Sequence, residues 1–583
     1  MKNSFLKKTC ILGLAALTAF GCVACGGGNG GGDNANKFNK PGKDKTVIKV
    51  ANFQGGVGSV WIDEAAERFA ELHQDTHYAD GKTGVYIDIQ KTQTISVDAL
   101  EGSTTNIIFH ERYADINALA QTGALLNLDE IVKDETRSGG TLESKIFPEA
   151  KGGLMGNDGS YYGLPHYEFF GGLSYNRDIF DRIFAYIADS ADEGVLYSSE
   201  KFGDAYFVNS LDSKKSAGPD GEYNTADDGF PVSCEEFLIL LDYIKYNNVS
   251  PLILAGDHAT YADYLICGLW PSLAGAEQMR NYYNCSGEIE VVDRNADGSV
   301  KLTNENIFPG IDYIKKPATK TVTMSDDGSQ GYYGNDMVAK YYALAMLKIM
   351  ENEDFFSPDA SIGTRTHYDA QMNLYMQGIG EYDEVAILIE GSYWYNESKE
   401  GGCFDKYERW TGNSRNDLNL AWMPLPTNYY TEGATGRSYS LLDIGQAYGM
   451  VNGNIKNNKE LKDACLDFMA FLYSEDELEN FTVCTGMTRM VNYSLDDTQK
   501  AQLPKFYKSL WDLRDNVNGS NIVALSGTTD TFKQAKTGIK LMLNSPVLRV
   551  DVSVLERIQR GESIDDIIDT LGFTASSWLW GAK

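Results

Sequence analysis

The stretch TVIKVANFQGGVGSVWIDEAAERFAEL, residues 46–72, indicates the fold class of this chain. It starts with a short apolar segment over 46–51 that is typical of a strand, followed by a turn rich in glycine. Apolar residues then recur at helical spacing over 59–72, which predicts an amphipathic helix. A strand that leads through a glycine turn into a helix is the basic pattern of α/β proteins.

The same alternation continues along the 583 residues. Apolar runs predict further strands at 85–89, 106–109, 251–255 and 385–389, and helical spacing predicts helices at 113–120, 231–245, 335–351 and 461–472. We therefore expect an α/β fold with mainly parallel sheets. At roughly 150 residues per domain, the length corresponds to two to four domains.

Polar residues follow the first and third predicted strands. In parallel sheets, ligands bind where the carboxyl ends of the strands lead into loops. We therefore expect one crevice to be lined by Asn52, Phe53, Gln54, His110, Glu111 and Arg112. The alternative interpretation is that these are ordinary polar loop residues.

The composition is that of a globular protein with a strong negative charge. Hydrophobic residues make up 43% of the chain, and 51 Lys and Arg stand against 82 Asp and Glu, for a net charge of −31. Such a surface repels phosphate groups, which argues against binding to nucleic acid or to anionic lipid. The 35 tyrosines favour a polar ligand, because each offers a flat apolar ring and a hydroxyl.

The first 25 residues resemble the signal peptide of a bacterial lipoprotein. A start with three lysines precedes an apolar run over 10–20, and small residues then lead to Cys25. We predict lipidation at Cys25, with Cys22 as the alternative, and a flexible glycine-rich tether over 26–45. The protein is then expected to be anchored to the outer face of the cell membrane by lipid alone.

Several blocks of the mature chain, in their order and spacing, resemble the extracellular solute-binding proteins of carbohydrate ABC transporters, family 1, of the maltose-binding type. The blocks are TVIKVANFQGG, IIFHERYADINALAQTGALLNLDE, YYGLPHYEFFGGLSYNRDIF, VAILIEGSYWYN, WMPLPT and KELKDACLDFMAFLYSEDELENFTVCTGMTRMV.

This resemblance implies a two-lobed type II periplasmic-binding-protein fold with a hinge between the lobes. Lobe one would comprise 46–165 and 427–490, and lobe two 166–426 and 491–583. It further implies a monomeric receptor that binds a sugar, in expectation an oligosaccharide, and delivers it to the permease subunits of an importer. Such a receptor needs no cofactor and catalyses no reaction.

The resemblance also assigns residues to the sugar site. Glu111 and Arg112 match an acidic–basic pair that binds sugar hydroxyls, Glu168 matches a ligand-contacting carboxylate, and Tyr393 matches a stacking aromatic with Trp394 beside it. Further candidates are Phe53, His166, Tyr167, Tyr261 and Trp270. Ile108 stands where the family has a tryptophan, a departure that affects specificity for maltose-like sugars.

Two acidic loops have oxygen ligands at a spacing suited to calcium. One places Asp220, Asn224, Asp227 and Asp228 in a glycine-rich segment, so that a structural Ca²⁺ is an expectation there and a solvated loop the alternative. The other, over 293–298, fits the start of an EF-hand loop or an Asp-Gly hairpin turn.

Enzyme motifs give no comparable signal. The sequence has no GxSxG, no HExxH and no GxxxxGK[ST]. The alternatives to a transport receptor are a surface enzyme acting on polysaccharide, as a glycoside hydrolase or a lyase, and the binding component of a sugar-sensing system. With 82 acidic residues, a carboxylate pair suited to hydrolysis cannot be told from any surface pair.

Overall fold

A computed structural model describes most of the chain. The described residues are 37–92, 100, 102–111, 114–136, 139–256, 261–325, 330–360, 365–438, 440–444, 447–517, 522–524 and 554–571. The predicted signal peptide, the lipidation candidates Cys25 and Cys22, and tether residues 26–36 lie outside this part.

The described strands are β1 (Thr46–Phe53), β2 (Val85–Thr92), β3 (Ile107–His110), β4 (Gly163–Pro165), β5 (Gly171–Asn176), β6 (Gly194–Ser199), β7 (Gly203–Val208), β8 (Ser250–Ile253), β9 (Glu288–Val292), β10 (Leu302–Asn306), β11 (Lys315–Pro317), β12 (Thr319–Thr323), β13 (Val385–Gly391), β14 (Leu420–Trp422), β15 (Leu441–Asp443), β16 (Tyr448–Val451) and β17 (Ile522–Ala524).

The described α-helices are α1 (Val60–Leu72), α2 (Ile116–Gln121), α3 (Asp129–Val132), α4 (Leu142–Lys145), α5 (Pro148–Leu154), α6 (Arg177–Ile183), α7 (Cys234–Tyr246), α8 (Ala262–Asn284), α9 (Val338–Asn352), α10 (His367–Met376), α11 (Trp394–Glu400), α12 (Cys403–Thr411), α13 (Lys459–Leu472), α14 (Glu475–Thr485), α15 (Asp497–Lys500), α16 (Lys505–Val517), α17 (Val554–Gln559) and α18 (Ile564–Leu571).

Two sheets organise the molecule and define two lobes. Lobe one is built on the order β2-β1-β3-β16-β4, with α1 and α13 packed against it. Its core is aromatic: the Trp61 and Phe109 rings lie 5.0 Å apart, and the Phe69 and Phe468 rings 4.9 Å apart. This burial of large rings fixes α1 and α13 on the sheet.

Lobe two is built on the order β14-β5-β13-β8. Helices α8, α10 and α16 pack on this sheet, and α8 also contacts α9. The hairpin of β6 and β7 and the two-stranded pairs β9–β12 and β10–β11 lie outside the main sheet. The α/β class expected from the sequence is confirmed.

The expectation of mainly parallel sheets is only half right. β1 is parallel to β2 and β3, and β13 is parallel to β8. However, β16 is antiparallel to both of its neighbours, and so is β5. Both strands enter their sheet from the other lobe rather than through a crossover helix, so the parallel rule for βαβ units does not apply to them.

The chain passes between the two sheets through segments that bind one another. The backbone N–H of His166 donates to the carbonyl of Ala447 at 2.9 Å, and that of Glu168 donates to the carbonyl of Thr488 at 2.8 Å. Ile444 donates to Phe169 at 3.1 Å. We call residues 166–170, 443–447 and 487–491 the hinge, of which 445 and 446 lie outside the described residues.

The folded body begins earlier than the predicted tether allows. Glu67 on α1 accepts backbone N–H groups from Lys37, Phe38 and Asn39 at 2.6, 2.6 and 2.8 Å. The Asn39 amide also exchanges two hydrogen bonds with the backbone of Ile87 on β2. Residues 37–45 therefore belong to lobe one, because their backbone groups have fixed partners there.

In the described part of the chain, no helix combines the length and the apolar character needed to cross a membrane.

Candidate functional site

The ends of β1 and β3 lie side by side in lobe one, as the sequence predicts. Asn52 is in register with Phe109, and the loops that follow the two strands start at the same edge of the sheet. Asn52 is fully buried, and its amide donates to the carbonyls of Phe53 and Gly58, which shapes the glycine loop. This places Glu111, the residue after β3, beside the glycine loop.

Glu111 is a buried carboxyl with a tyrosine partner. Its side chain is 5% exposed, and Oε2 accepts a hydrogen bond from the Tyr167 hydroxyl at 2.8 Å. Oε1 lies 4.0 Å from Nε2 of His166 and accepts no hydrogen bond in the part of the chain that the structure describes. Burial, and then the nearby charge of Glu397, raise the pKa of Glu111 well above its usual range.

His166 does not neutralise this carboxyl. The imidazole is fully buried among Trp61, Phe109 and Tyr167, with ring centroids 5.2, 4.8 and 5.1 Å away. Burial and then the charge of Arg489 hold its pKa well below the usual range, so the ring is neutral.

The two lobes touch at Gly56. Its backbone N–H lies near the Glu397 carboxylate on α11 of lobe two and lowers the pKa of that carboxyl, against the larger effect of burial. A Cβ at position 56 would lie 2.5 Å from the Tyr167 hydroxyl and 2.8 Å from Oε2 of Glu111, and φ is +46°. Only glycine adopts this conformation in so little space, so the contact depends on the absence of a side chain.

Glu397 is held by an uncharged partner. Nε2 of the buried Gln371 donates to its Oε2 at 3.3 Å, and Gln371 in turn accepts from the Ser398 hydroxyl at 2.8 Å. Burial raises the pKa of Glu397 to about 7. The charge of Glu397 in lobe two reaches Glu111 in lobe one and adds to the effect of burial on the pKa of Glu111.

Aromatic side chains form a wall beside these carboxyls. Tyr167 stacks on Phe169 with ring centroids 6.0 Å apart, and Phe169 meets Tyr393 edge to face at 5.2 Å. The hydroxyls of Tyr393 and Tyr264 lie 2.7 Å apart. Rings with adjacent hydroxyls suit sugars, because the C–H face of a sugar packs on a ring while its hydroxyls bond to polar groups.

Glu168 lies in the hinge rather than on this wall. Its side chain is fully buried, and Oε2 accepts from Nε of Arg514 on α16 at 3.1 Å and from the Thr488 hydroxyl. Nη2 of Arg514 lies 3.0 Å from the same oxygen and completes the ion pair. A carboxylate whose charge is balanced inside the protein has little reason to bind a ligand. The predicted ligand contact of Glu168 receives no support from this arrangement.

Other predicted site residues lie in different surroundings. Trp394 is fully buried and donates from Nε1 to the Ser174 hydroxyl at 2.8 Å, and Trp270 is 1% exposed beneath Lys340. Both pack in the core of lobe two and present no surface to a ligand. Phe53 is half-buried over Gly55 in the glycine loop, and Arg112 lies outside the described residues.

The predicted calcium loop over 220–228 directs its carboxylates at its own backbone. Asp227 accepts from the N–H of Asp220 at 2.9 Å, and Asp228 accepts from the N–H of Asn224 at 2.9 Å. Over the described residues, no three Asp, Glu, His or Cys side chains converge as metal ligands do. A calcium ion in this loop stays a prediction.

The loop over 293–298 forms a tight turn. Asn295 donates its N–H to Ser299 at 2.9 Å, Gly298 donates to Asn295 at 3.0 Å, and φ of Gly298 is +92°. Asp293 binds Lys301 and Lys320 at 3.2 and 3.1 Å. The hairpin-turn alternative accounts for this segment, because the Asp293 carboxylate already has two lysine partners.

Sequence reasoning missed the contributions of Gly56, Phe169, Tyr264, Gln371 and Glu397. The glycine turn was expected, but its contact with α11 is a tertiary feature. Glu397 lies in the first turn of α11, six residues after the end of β13, where ligand-binding side chains are common, so its position was a usable signal. Tyr264 and Gln371 come from α8 and α10, and no local pattern distinguishes them from core residues.

Comparison with known proteins places the fold. No family model matches the chain, and neither does any curated protein. Among solved structures, a "probable secreted solute-binding lipoprotein" from Streptomyces coelicolor superposes with a TM-score of 0.51 at 12% identity, covering 92% of this chain and 100% of that one. A chitin oligosaccharide binding protein gives a TM-score of 0.50 at 14% identity, covering 90% and 100%. The fold is therefore that of the two-lobed solute-binding proteins.

Proposed function

We propose that this protein is an extracellular receptor that binds an oligosaccharide between its lobes and delivers it to an ABC importer. The fold agrees with this role, and the chitin oligosaccharide binding protein shows that a similar fold serves a sugar chain. The blocks of sequence that resemble carbohydrate-transport receptors support the same assignment. Binding without turnover is the expected chemistry.

The observation that carries the proposal is the meeting of the lobes at a carboxyl–tyrosine crevice. Glu111 and Tyr167 approach from lobe one and the hinge, and Glu397, Tyr264 and Tyr393 from lobe two. Groups of this chemistry bind sugar hydroxyls and stack on sugar rings. Opening and closing about the hinge would admit and then enclose the ligand.

Calorimetry on the mature chain, without residues 1–25, tests this proposal. We expect saturable binding at one site per chain for at least one of a panel of oligosaccharides that includes chitin, α-glucan and xylan fragments. Product analysis of the same samples by chromatography should show the sugar unchanged. Release of shorter products would instead favour the polysaccharide-acting enzyme, and failure of every oligosaccharide to bind would contradict the receptor.

Three substitutions locate the binding site. Glu111→Ala, Arg112→Ala and Tyr393→Ala should each weaken the binding of whichever oligosaccharide binds, while circular dichroism stays unchanged. Glu71→Ala, on the exposed face of α1, is the control for loss of a side chain far from the crevice. Wild-type affinity in all three variants would show that the site lies elsewhere.

We further propose that Cys25 is lipidated and holds the protein at the outer face of the membrane, where the receptor would meet permease subunits. Cys25→Ser should release the protein from the membrane fraction into the medium. Cys22→Ser is the matched control, because it lies in the same segment and is the alternative attachment point. Release of the protein by Cys22→Ser and not by Cys25→Ser would show that Cys22 is the lipidated residue.

A further inference from the structure

The hairpin of β6 and β7, which packs on α7 of lobe two, has one open edge. In the described part of the chain, β6 pairs with β7 alone. β7 is covered on its other side, because Ala188 donates its N–H to the carbonyl of Tyr206 at 2.8 Å. Val208 likewise donates to the carbonyl of Tyr186 at 2.9 Å. The hairpin therefore has an inner strand, β7, and an edge strand, β6.

The pairing pattern shows which backbone groups of β6 face outward. Tyr206 and Val208 direct their hydrogen-bonding groups at the segment that covers β7, away from β6. Their register partners on β6 are Leu196 and Gly194, which therefore form the pairs of an antiparallel ladder that exchange no hydrogen bond. The N–H and C=O groups of Leu196 and Gly194, and by alternation those of Ser198, point out of the open edge.

Apolar side chains are exposed on both faces of this edge. Phe207 on β7 stacks on Tyr243 of α7 with ring centroids 3.8 Å apart, so its register partner Val195 lies on the face toward α7. Leu196 and Tyr206 lie on the opposite face. Val195 and Leu196 are nevertheless 62% and 48% exposed. An exposed apolar edge strand that contains neither lysine nor proline is a typical place for a further strand to add.

Acidic side chains lie at both ends of β6. Asp192 precedes the strand and Glu200 follows it, and both are exposed. Lys201 is the only basic residue in the sequence of 190–213, and its Nζ already binds the Glu353 carboxylate at 2.6 Å. The open edge thus has an apolar centre between negatively charged ends.

We propose that this edge binds an extended segment of another protein, with an apolar centre and basic ends, which adds to β6 as a further strand. Backbone hydrogen bonds to Leu196 and Ser198 hold the segment, and its basic residues meet Asp192 and Glu200. A second copy of this chain fits less well, because β6 paired with β6 in either direction places acidic residues opposite acidic residues. None of these residues belongs to the crevice, so the proposal is independent of the sugar ligand.

A labelled peptide tests this surface. The probe has a Val-Thr-Val-Thr-Val centre with two lysines at each end, and the reference peptide has the same centre with two glutamates at each end. Fluorescence anisotropy with the mature chain, without residues 1–25, should show saturable binding of the lysine peptide. The glutamate peptide should bind more weakly by about tenfold or more. Binding of neither peptide, or equal binding of both, would contradict the proposal.

Leu196→Pro distinguishes strand addition from attraction to an acidic surface. Proline removes an N–H that points out of the edge and leaves the hydrogen bonds to β7 in place, so the fold should be kept. The affinity for the lysine peptide should fall about tenfold. Leu196→Thr is the matched control, because it keeps the N–H and suits a strand, and it should weaken binding by less than about threefold. Wild-type affinity in Leu196→Pro, with an unchanged circular dichroism spectrum, would overturn the proposal.

Glu200→Lys tests the charge at the edge and decides the matter alone if Leu196→Pro does not fold. It should weaken binding of the lysine peptide by about threefold or more. Glu71→Lys, on the exposed face of α1, makes the same change in net charge and should have little effect. Equal effects of the two variants would show that the peptide responds only to the overall charge of −31, against the proposal. A dimer in sedimentation experiments that Leu196→Pro abolishes would assign the edge to a second copy and also overturn it.

Discussion

Two buried glutamates in this protein show how differently the same side chain can be used. Glu168, in the hinge, has Arg514 and Thr488 bound to one carboxylate oxygen. Glu111, in the crevice, has one tyrosine hydroxyl and, among the described residues, no cation. The sequence alone suggested that both would contact a sugar.

The difference lies in where the opposing charge comes from. In the hinge the protein provides it, so Glu168 joins two crossing segments and α16 into one structure. In the crevice, the described residues give Glu111 a tyrosine hydroxyl and a neutral imidazole. A buried charge that is balanced internally serves stability, whereas one left unbalanced reduces stability and serves binding.

The strongest test of this comparison is Glu168→Ala. It leaves the Arg514 guanidinium buried without its carboxylate, which costs about 3–5 kcal/mol of unfolding free energy. Urea denaturation followed by tryptophan fluorescence measures the loss. Glu111→Ala is the matched variant and should lose far less or gain stability. Equal losses in the two variants would show that the two carboxyls are used alike.

The second test concerns the contact between the lobes. Gly56→Ala places a Cβ against the Tyr167 hydroxyl and Glu111, and it should weaken ligand binding by about 2 kcal/mol or more through this clash and the strain at positive φ. Gly81→Ala is the control, because Gly81 also has positive φ, +76°, but a Cβ there meets nothing within 4 Å. Equal affinity in both variants would argue against closure at Gly56.

The third test uses pH. The folded state raises the pKa of Glu397 to about 7 and that of Glu111 well above its usual range, so it binds more protons than the unfolded chain above about pH 4.5. This contribution is fully present below pH 4.5 and is lost as the pH rises through the folded pKa, by about 3 kcal/mol for Glu397 alone. The combined Glu111→Gln and Glu397→Gln variant should have a flatter profile between pH 4.5 and 7.

A profile as steep in that double variant as in the wild type would assign the pH dependence to other groups.

The smallest expected effect comes from the aromatic wall. Tyr264→Phe removes the hydrogen bond to the Tyr393 hydroxyl and should weaken ligand binding by about 1 kcal/mol, roughly fivefold. Tyr246→Phe, on a 70% exposed side chain of α7, is the control and should change nothing. Calorimetry with the tightest oligosaccharide measures both. An effect of equal size in the two variants would show that the aromatic wall is not part of the binding site.

Local patterns were enough to predict the class of fold. The strand and helix of residues 46–72 are present as β1 and α1, and the predicted strand at 385–389 is the first part of β13. The adjacency of Asn52 and Glu111 followed from the rule for parallel strands. These features depend on periodicity and on turn residues, and both can be recognised from residues that are consecutive in the sequence.

The roles of individual side chains were not predictable in the same way. Glu168 and Trp394 carry residue types that suit a sugar site, yet Arg514 and Ser174, distant in sequence, bind them in the interior. Gly56 and Glu397 meet only because the lobes do. Partners separated by hundreds of residues leave no local pattern. A single sequence therefore shows the chemistry of a residue more readily than it shows which residues surround that residue in the fold.

The clasp of Glu67 on residues 37–39 has a mechanical consequence. A force applied along the chain before residue 37 is therefore transmitted to α1 and β2 of lobe one, and not to the hinge. With the proposed attachment at Cys25, lobe one would keep its orientation relative to the membrane and lobe two would be the lobe that moves about the hinge.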